Sequence, residues 1–147
     1  MSGHTPRIMK VQTASLLRYE TSDDPWRLDW LKCPAFEEID SGLRRLDGDL
    51  FPSIRLYIAA DPKDDTAPDF EVLGGNAGYF VQVRKDGNIF HFYDSHASSK
   101  LVPVWISDQG TEISGHLVCN DLERIIAATR HFYETGELLP SFPWKAA

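Results

Sequence analysis

The chain contains 147 residues, of which 42% are hydrophobic, 12% are aromatic and 25% are charged. These proportions are typical of a folded globular domain and argue against intrinsic disorder, and no segment approaches the ~20 consecutive apolar residues of a membrane-spanning helix. The formal net charge is −7, and an acidic surface repels phosphate backbones, so the composition disfavours direct binding of nucleic acid.

The acidic residues are concentrated in the middle of the sequence. Residues 1–19 carry a net charge of +3, residues 20–71 of −8 and residues 72–147 of −2. This distribution favours attraction of a basic protein, although a negative balance is also an ordinary solubility feature. Met1–Lys10 lacks the apolar region of a secretory signal, so we expect a cytoplasmic protein, with a single domain over residues 1–147.

The first half of the chain predicts one helix between strands. We predict a strand over Met9–Arg18, followed by turn residues in Thr21–Pro25. Pro34–Leu46 is predicted to be an amphipathic helix, because apolar residues recur at three- and four-residue spacing and acidic residues lie in the first turn. Alternating apolar and polar residues predict a strand over Ser53–Ala59, and Asp61–Asp69 is then predicted to be a polar loop.

The second half predicts consecutive strands and a final helix. The strand candidates are Phe70–Leu73, Gly78–Arg84, Asn88–Tyr93, Leu101–Ile106 and Glu112–Ser114. Asn120 is a good helix N-cap, apolar residues line one face of the segment that follows, and Gly136 stands where a left-handed C-cap is expected. Strands without long crossovers predict an α+β fold, in which an antiparallel sheet of about five or six strands carries a helix from the N-terminal half and a C-terminal helix.

His91, Asp94 and His96 are the best candidates for catalysis or metal binding. An imidazole and a carboxylate close together transfer protons in many enzymes, and two imidazoles with an acid are a common metal-binding set. However, side chains alternate between the two faces of a strand, so an extended segment places His91 opposite Asp94 and His96. Catalysis by this trio is therefore disfavoured, and a small enzyme or ligand-binding domain that uses it is the alternative to a binding protein.

The other motifs do not indicate a cofactor or a metal. The glycine-rich run Gly74–Gly78 lacks the Lys-Ser or Lys-Thr of a phosphate-binding loop and is interpreted as a hairpin bend. Cys33 and Cys119 have no partner at zinc or redox spacing, and the aspartates of Asp61–Asp69 lack the ligand order of an EF-hand. We therefore predict a binding protein that is not an enzyme and has no cofactor.

The segment Leu122–Trp144 combines an amphipathic helix, an aromatic pair, a Thr-Gly step at Gly136, a proline and a closing tryptophan. Upstream, Leu46–Gly48 leads into a strand, and Phe70–Gly75 leads into a hairpin. In these respects the chain resembles immunity protein family 1 of bacterial polymorphic toxin systems, over about Leu46–Trp144.

The resemblance implies a small cytoplasmic antitoxin that binds and neutralises one cognate toxin, often a nucleic-acid-directed one such as a deaminase or nuclease. It also implies structural roles for Gly136 and Trp144, and we expect Trp144 to be substantially buried. A toxin that acts on nucleic acid needs a basic active-site face, so an acidic partner competes for that face and associates rapidly. Such inhibition requires no catalytic residue.

The acidic centre of the chain is the predicted toxin-binding rim. We expect its carboxylates to act mainly on the association rate and its salt dependence, with an aromatic side chain as the anchor. An ordinary solvated loop is the alternative. The predicted contact residues are Asp23, Asp24, Tyr57, Asp61, Asp64, Asp65 and Asp69, of which Tyr57 is the anchor.

Overall fold

A computed structural model describes residues 10–19, 26–64, 66–106 and 112–147. Within these ranges the chain forms nine strands, two α-helices and one short 3-10 helix. Asp23, Asp24 and Asp65, which belong to the predicted rim, lie outside the described residues. Neither α-helix in these ranges has the length and apolar character needed to cross a lipid bilayer.

The described elements form an α+β fold, as the sequence predicts. The strands are β1 (Thr13–Arg18), β2 (Arg27–Lys32), β3 (Ser53–Tyr57), β4 (Asp69–Gly74), β5 (Tyr79–Lys85), β6 (Asn88–Phe92), β7 (Leu101–Val102), β8 (Ile113–Ser114) and β9 (Trp144–Ala146). The helices are α1 (Phe36–Arg45) and α2 (Leu122–Thr135), with the 3-10 helix at Gly115–Leu117. Seven strands form one antiparallel sheet in the order β2-β1-β3-β4-β5-β6-β9, and β7 pairs with β8 in a separate ribbon.

The large sheet has one strand more than the upper end of the predicted five or six. The sequence does not predict β2, because its residues are charged or exposed except for the partly buried Leu31, and such a strand has no apolar core pattern. The predicted strand Leu101–Ile106 is reduced to β7, which pairs with β8 outside the large sheet. The run Gly74–Gly78 forms the predicted bend, in which Gly75 donates its backbone N–H to the carbonyl of Gly78 at 2.9 Å.

The main core lies between the large sheet and the two helices. Two cross-strand rows of apolar side chains form the sheet side: Ile54, Val72 and Val81 in one row, and Leu56, Phe70 and Val83 in the next. The helices cover these rows with the buried residues Ile39, Leu43, Ile125, Ala128 and Phe132. Burial of this kind is the dominant stabilising term in folding. Both helices therefore lie on the same face of the sheet.

Helix α2 is held at both ends by local hydrogen bonds. Asp121, one residue after the predicted Asn120, is the N-cap, and its carboxylate accepts from the backbone N–H of Arg124 at 3.3 Å. Gly136 is the C-cap with φ of 72°, a left-handed conformation that L side chains rarely adopt, so the predicted left-handed C-cap is confirmed. Farther into the core, the Tyr133 hydroxyl donates to the carbonyl of Pro34 at 2.7 Å and connects α2 to the start of α1.

Trp144 lies on β9 and contacts the main core. Its indole Nε1 donates to the carbonyl of Leu139 at 3.0 Å, and its ring centroid lies 4.8 Å from that of Phe142 and 6.1 Å from that of Phe70. The side chain is partly rather than fully buried, because β9 is an edge strand. Trp144 thus packs as a structural residue, with less complete burial than the sequence predicts.

We expect Trp144→Ala to reduce the free energy of unfolding by about 3 kcal/mol, because it removes both the ring contacts and the indole hydrogen bond. For a domain of this size, the melting temperature should fall by roughly 6–12 °C. Trp26→Ala is the matched control, since Trp26 is 54% exposed and should contribute less than about 1 kcal/mol. Thermal unfolding of both variants measures the difference. Equal losses would contradict the structural role of Trp144.

Candidate functional site: the open face of the sheet

One face of the large sheet carries neither helix. Because side chains alternate along a strand, the residues between the core positions point to this second face. We call it the open face. The strands β1, β3, β4, β5 and β6 contribute the following residues to it: Thr13, Ser15, Leu17, Ser53, Arg55, Tyr57, Asp69, Glu71, Leu73, Phe80, Gln82, Arg84, Ile89 and His91. At one end, Phe80 packs against a smaller apolar cluster that contains Val104, Ile113 and Val118.

A buried carboxylate lies at the centre of the open face. Asp69 is only 5% exposed, and its Oδ2 forms ion pairs with Nη2 of Arg55 at 3.0 Å and Nη2 of Arg84 at 3.1 Å. The prediction that Asp69 belongs to the exposed acidic loop is therefore wrong. Asp69 is the first residue of β4, and two arginines from the neighbouring strands shield it from solvent. Because of this shielding, Asp69 is not part of the exposed surface that a partner would contact.

Glu71 lies two residues farther along β4 and directly opposite Arg55 in the sheet register. Burial raises the pKa of Glu71, and although the positive charges of Arg55 and Arg84 lower it, they do not cancel the effect of burial. Arg55 Nε and Arg84 Nε are buried without a hydrogen-bond partner among the described residues. Unsatisfied buried donors are uncommon, and each calls for a functional or structural explanation.

An apolar strip borders the open face at the edge of the sheet. It consists of Trp26, Leu28 and Trp30, which are 54%, 36% and 48% exposed and recur at two-residue spacing. Trp30 contacts Tyr57, with ring centroids 5.8 Å apart, and the guanidinium carbon of Arg55 lies 5.3 Å from the centre of the Tyr57 ring. The predicted anchor Tyr57 is therefore half-buried beneath a more exposed tryptophan that the sequence analysis did not identify.

The acidic loop, residues 61–68 between β3 and β4, adjoins this strip. A cavity of about 330 Å³ is lined by Trp30 and Lys32 of β2 together with Ala60 and the loop residue Pro62. Asp61 and Asp64 are exposed as predicted, and their carboxylates also organise the loop by accepting backbone hydrogen bonds from Lys63 and Thr66. A side-chain hydrogen bond from Thr66 at 2.6 Å is the largest cause of a lowered pKa for Asp64.

The structure does not assemble His91, Asp94 and His96 into one site. His91 Nε2 hydrogen-bonds to Gln82 Oε1 at 3.0 Å on the open face, where burial lowers the pKa of the imidazole. The Asp94 carboxylate accepts the backbone N–H of His96 at 2.9 Å. A cavity of about 180 Å³ beside β6 is lined by His91 but by neither of the other two. Within the described ranges, no group of three or more His, Cys, Asp or Glu residues is arranged to hold a metal ion.

The comparisons with known proteins do not assign the chain to a family. No protein-family model and no curated protein sequence matches it. The open face is therefore interpreted from its own chemistry: a charged centre, an apolar strip at one edge and an acidic loop beside that strip.

We expect Asp69→Asn to lower the free energy of unfolding by about 2–3 kcal/mol, because it leaves two guanidiniums without their counter-charge. The loss is smaller than the 3–5 kcal/mol of a fully buried pair, since both arginines are partly exposed. The exposed Asp61→Asn is the matched control and should change stability by less than about 0.5 kcal/mol. Urea denaturation compares the two. If both variants are equally stable, Asp69 does not hold the sheet.

Glu71→Gln should stabilise the protein at neutral pH. The raised pKa means that the folded state holds the proton of Glu71 more tightly, so ionisation opposes folding. Stability is therefore lost as pH rises from about 4.5, the ordinary pKa of a glutamate, through the raised pKa of Glu71. The glutamine variant does not ionise and therefore does not lose this stability. Denaturation between pH 4 and pH 8 should show an advantage for the variant that grows with pH. An advantage independent of pH would contradict this explanation, and Glu37→Gln on α1 is the control.

Proposed function

We propose that this protein is an immunity protein that binds and neutralises a cognate basic toxin through the apolar strip and the acidic loop. The observation that carries the proposal is that the half-exposed Trp30 of the apolar strip and Pro62, which lies between residues Asp61 and Asp64 of the acidic loop, line the same cavity. The resemblance to immunity protein family 1 in the sequence supports the same assignment. The proposed contact residues are Trp26, Leu28, Trp30, Tyr57, Asp61 and Asp64.

The apolar strip has the properties of an energetic anchor. Protein interfaces commonly depend on a few tryptophan, tyrosine and arginine side chains, surrounded by polar residues that exclude water. Trp30 is 48% exposed, and its contact with Tyr57 restrains the indole before any partner arrives. Such restraint lowers the entropy cost of binding. Three exposed apolar residues at two-residue spacing, two on the edge strand β2 and Trp26 immediately before it, are also the kind of surface that marks an interaction site.

The charge distribution favours a basic partner. Residues 20–71, which include both the apolar strip and the acidic loop, carry a net charge of −8, although Glu37, Glu38 and Asp40 of this range lie on α1, on the other side of the sheet. Electrostatic attraction of this kind raises association rates and weakens with salt. A toxin that acts on nucleic acid, such as a deaminase or nuclease, needs a basic face to bind phosphates, and an acidic protein docked there blocks the substrate. Inhibition then follows from occupancy alone.

Co-expression tests the proposal directly. The protein encoded by the neighbouring open reading frame should arrest growth when expressed alone, and the chain should restore growth and co-purify with it. The variant Trp30→Ala, which removes the anchor of the apolar strip, is compared with the intact chain in the same two assays. If the intact chain neither restores growth nor co-purifies, the proposed function is wrong for that pair.

Neutralising the acidic loop should slow association with the toxin. Asp61→Asn with Asp64→Asn removes two charges but keeps the oxygen that accepts the backbone hydrogen bonds of the loop. We expect the association rate to fall roughly 3- to 10-fold at low salt, with little change in dissociation and a much smaller difference at high salt. Stopped-flow or surface-based kinetics at two salt concentrations measure both rates.

The matched control is Glu37→Gln with Glu123→Gln, which removes the same total charge from the helix side of the sheet. It should retain most of the parent association rate, because those residues lie on α1 and α2, away from the proposed contact surface. If both double variants slow association equally, net charge rather than the acidic loop attracts the toxin.

A further inference from the structure

A second cavity lies on the open face, at the end of the sheet where β2 begins. Its volume is about 350 Å³, and Glu71 lines it together with the aromatic residues Tyr19, Trp26 and Trp105 and the apolar Leu28. We call it the Glu71 cavity. Its lining brings together one carboxylate and three aromatic rings from four separate parts of the chain.

The Glu71 carboxylate has unused capacity to accept hydrogen bonds. Among the described residues, Arg55 and Arg84 act on it through their charges, and none donates a hydrogen bond to it. Both guanidiniums form their ion pairs with Asp69 instead. Glu71 is partly buried, and a carboxylate in such a position without a donor gains more from a ligand that supplies one than an exposed carboxylate does.

The aromatic lining restricts what that ligand can be. A purely apolar group would bury the carboxylate further without providing a donor, whereas a ligand that donates hydrogen bonds would supply what Glu71 lacks. A cation satisfies both parts of the cavity, because ammonium and guanidinium groups bind carboxylates and are also attracted to the faces of tryptophan and tyrosine. A guanidinium fits best, since it is planar, stacks on indole rings and donates two parallel hydrogen bonds to one carboxylate.

We propose that the Glu71 cavity receives an arginine side chain of the toxin, with the guanidinium at Glu71 and the aliphatic stem against Trp26 and Leu28. This inference rests on the proposed function, because the arginine belongs to the toxin. It adds a second contact to the apolar strip, since Trp26 and Leu28 belong to both surfaces. Arg55, Arg84, Asp69 and Glu71 together carry no net charge, so the entering cation does not meet an excess of positive charge.

The first arm of the test uses small probes on the full chain. N-acetyl-arginine methylamide carries the guanidinium, and N-acetyl-citrulline methylamide is a neutral analogue of nearly the same shape. In NMR titrations of the nitrogen-labelled chain, the arginine probe should shift the indole signals of Trp26 and Trp105 in a saturable manner, and the citrulline probe should not. Single Trp→Phe variants assign the four indole signals.

The second arm uses variants and the toxin. Glu71→Gln should abolish the response to the arginine probe and weaken the toxin complex at least about 10-fold, mainly through faster dissociation. This variant is expected to be at least as stable as the parent, so a loss of affinity cannot be attributed to unfolding. Glu37→Gln, on the opposite side of the sheet, is the control and should leave both measurements unchanged.

The outcomes separate the two proposals. If the parent chain does not bind the toxin, the proposed function fails. If the parent binds the toxin and Glu71→Gln binds it equally well, the proposed function stands and the Glu71 cavity is not the arginine site. If the toxin complex weakens but the probes are not distinguished, recognition of a guanidinium is overturned. Support requires both discrimination between the probes and weaker toxin binding by the variant.

Discussion

The carboxylate of Asp69 connects the centre of the sheet. It forms ion pairs with an arginine on each neighbouring strand, so one buried charge links β3, β4 and β5. Because side chains alternate between faces, a slip of one residue would move this carboxylate under the helices and turn Phe70 into the open face. The ion pairs thus specify from one side of the sheet the same register that the apolar rows specify from the other.

The apolar core and the Asp69 ion pairs lie on opposite faces of the sheet. The helix face contains the main apolar core and supplies the larger part of the stability. The open face carries the Asp69 ion pairs, with Glu71 two residues farther along β4. Burial raises the pKa of Glu71, so ionisation of this carboxylate carries a cost in the folded state.

The helices and the central strands could be predicted because their signals are local. Apolar periodicity identifies α1 and α2, and the left-handed position of Gly136 follows from glycine chemistry. In contrast, β2 has no core-facing pattern of its own and becomes a strand by pairing with β1. Asp69 was misplaced because a run of aspartates resembles a loop, and only the arginines on two distant strands explain its burial.

The candidate site was harder to predict because it, too, depends on contacts between residues that are distant in sequence. One signal was present: Arg55, Glu71 and Arg84 occupy the positions between core residues on three consecutive strands, which indicates a charged face. The Glu71 cavity had no such signal, because Trp26, Glu71 and Trp105 are distant in sequence and meet only when the sheet is complete. The contact between the rings of Trp30 and Tyr57 likewise depends on the pairing of β1 with β2 and with β3.

The position of β9 has a consequence for the order in which the chain assembles. Strands β3 to β6 follow one another as a meander, whereas β9 pairs with β6 across a separation of about 50 residues that includes α2. Closing so long a loop costs more conformational entropy than closing a hairpin, and non-local pairing of this kind is slow. We therefore expect the meander to form first and Trp144 to dock after it.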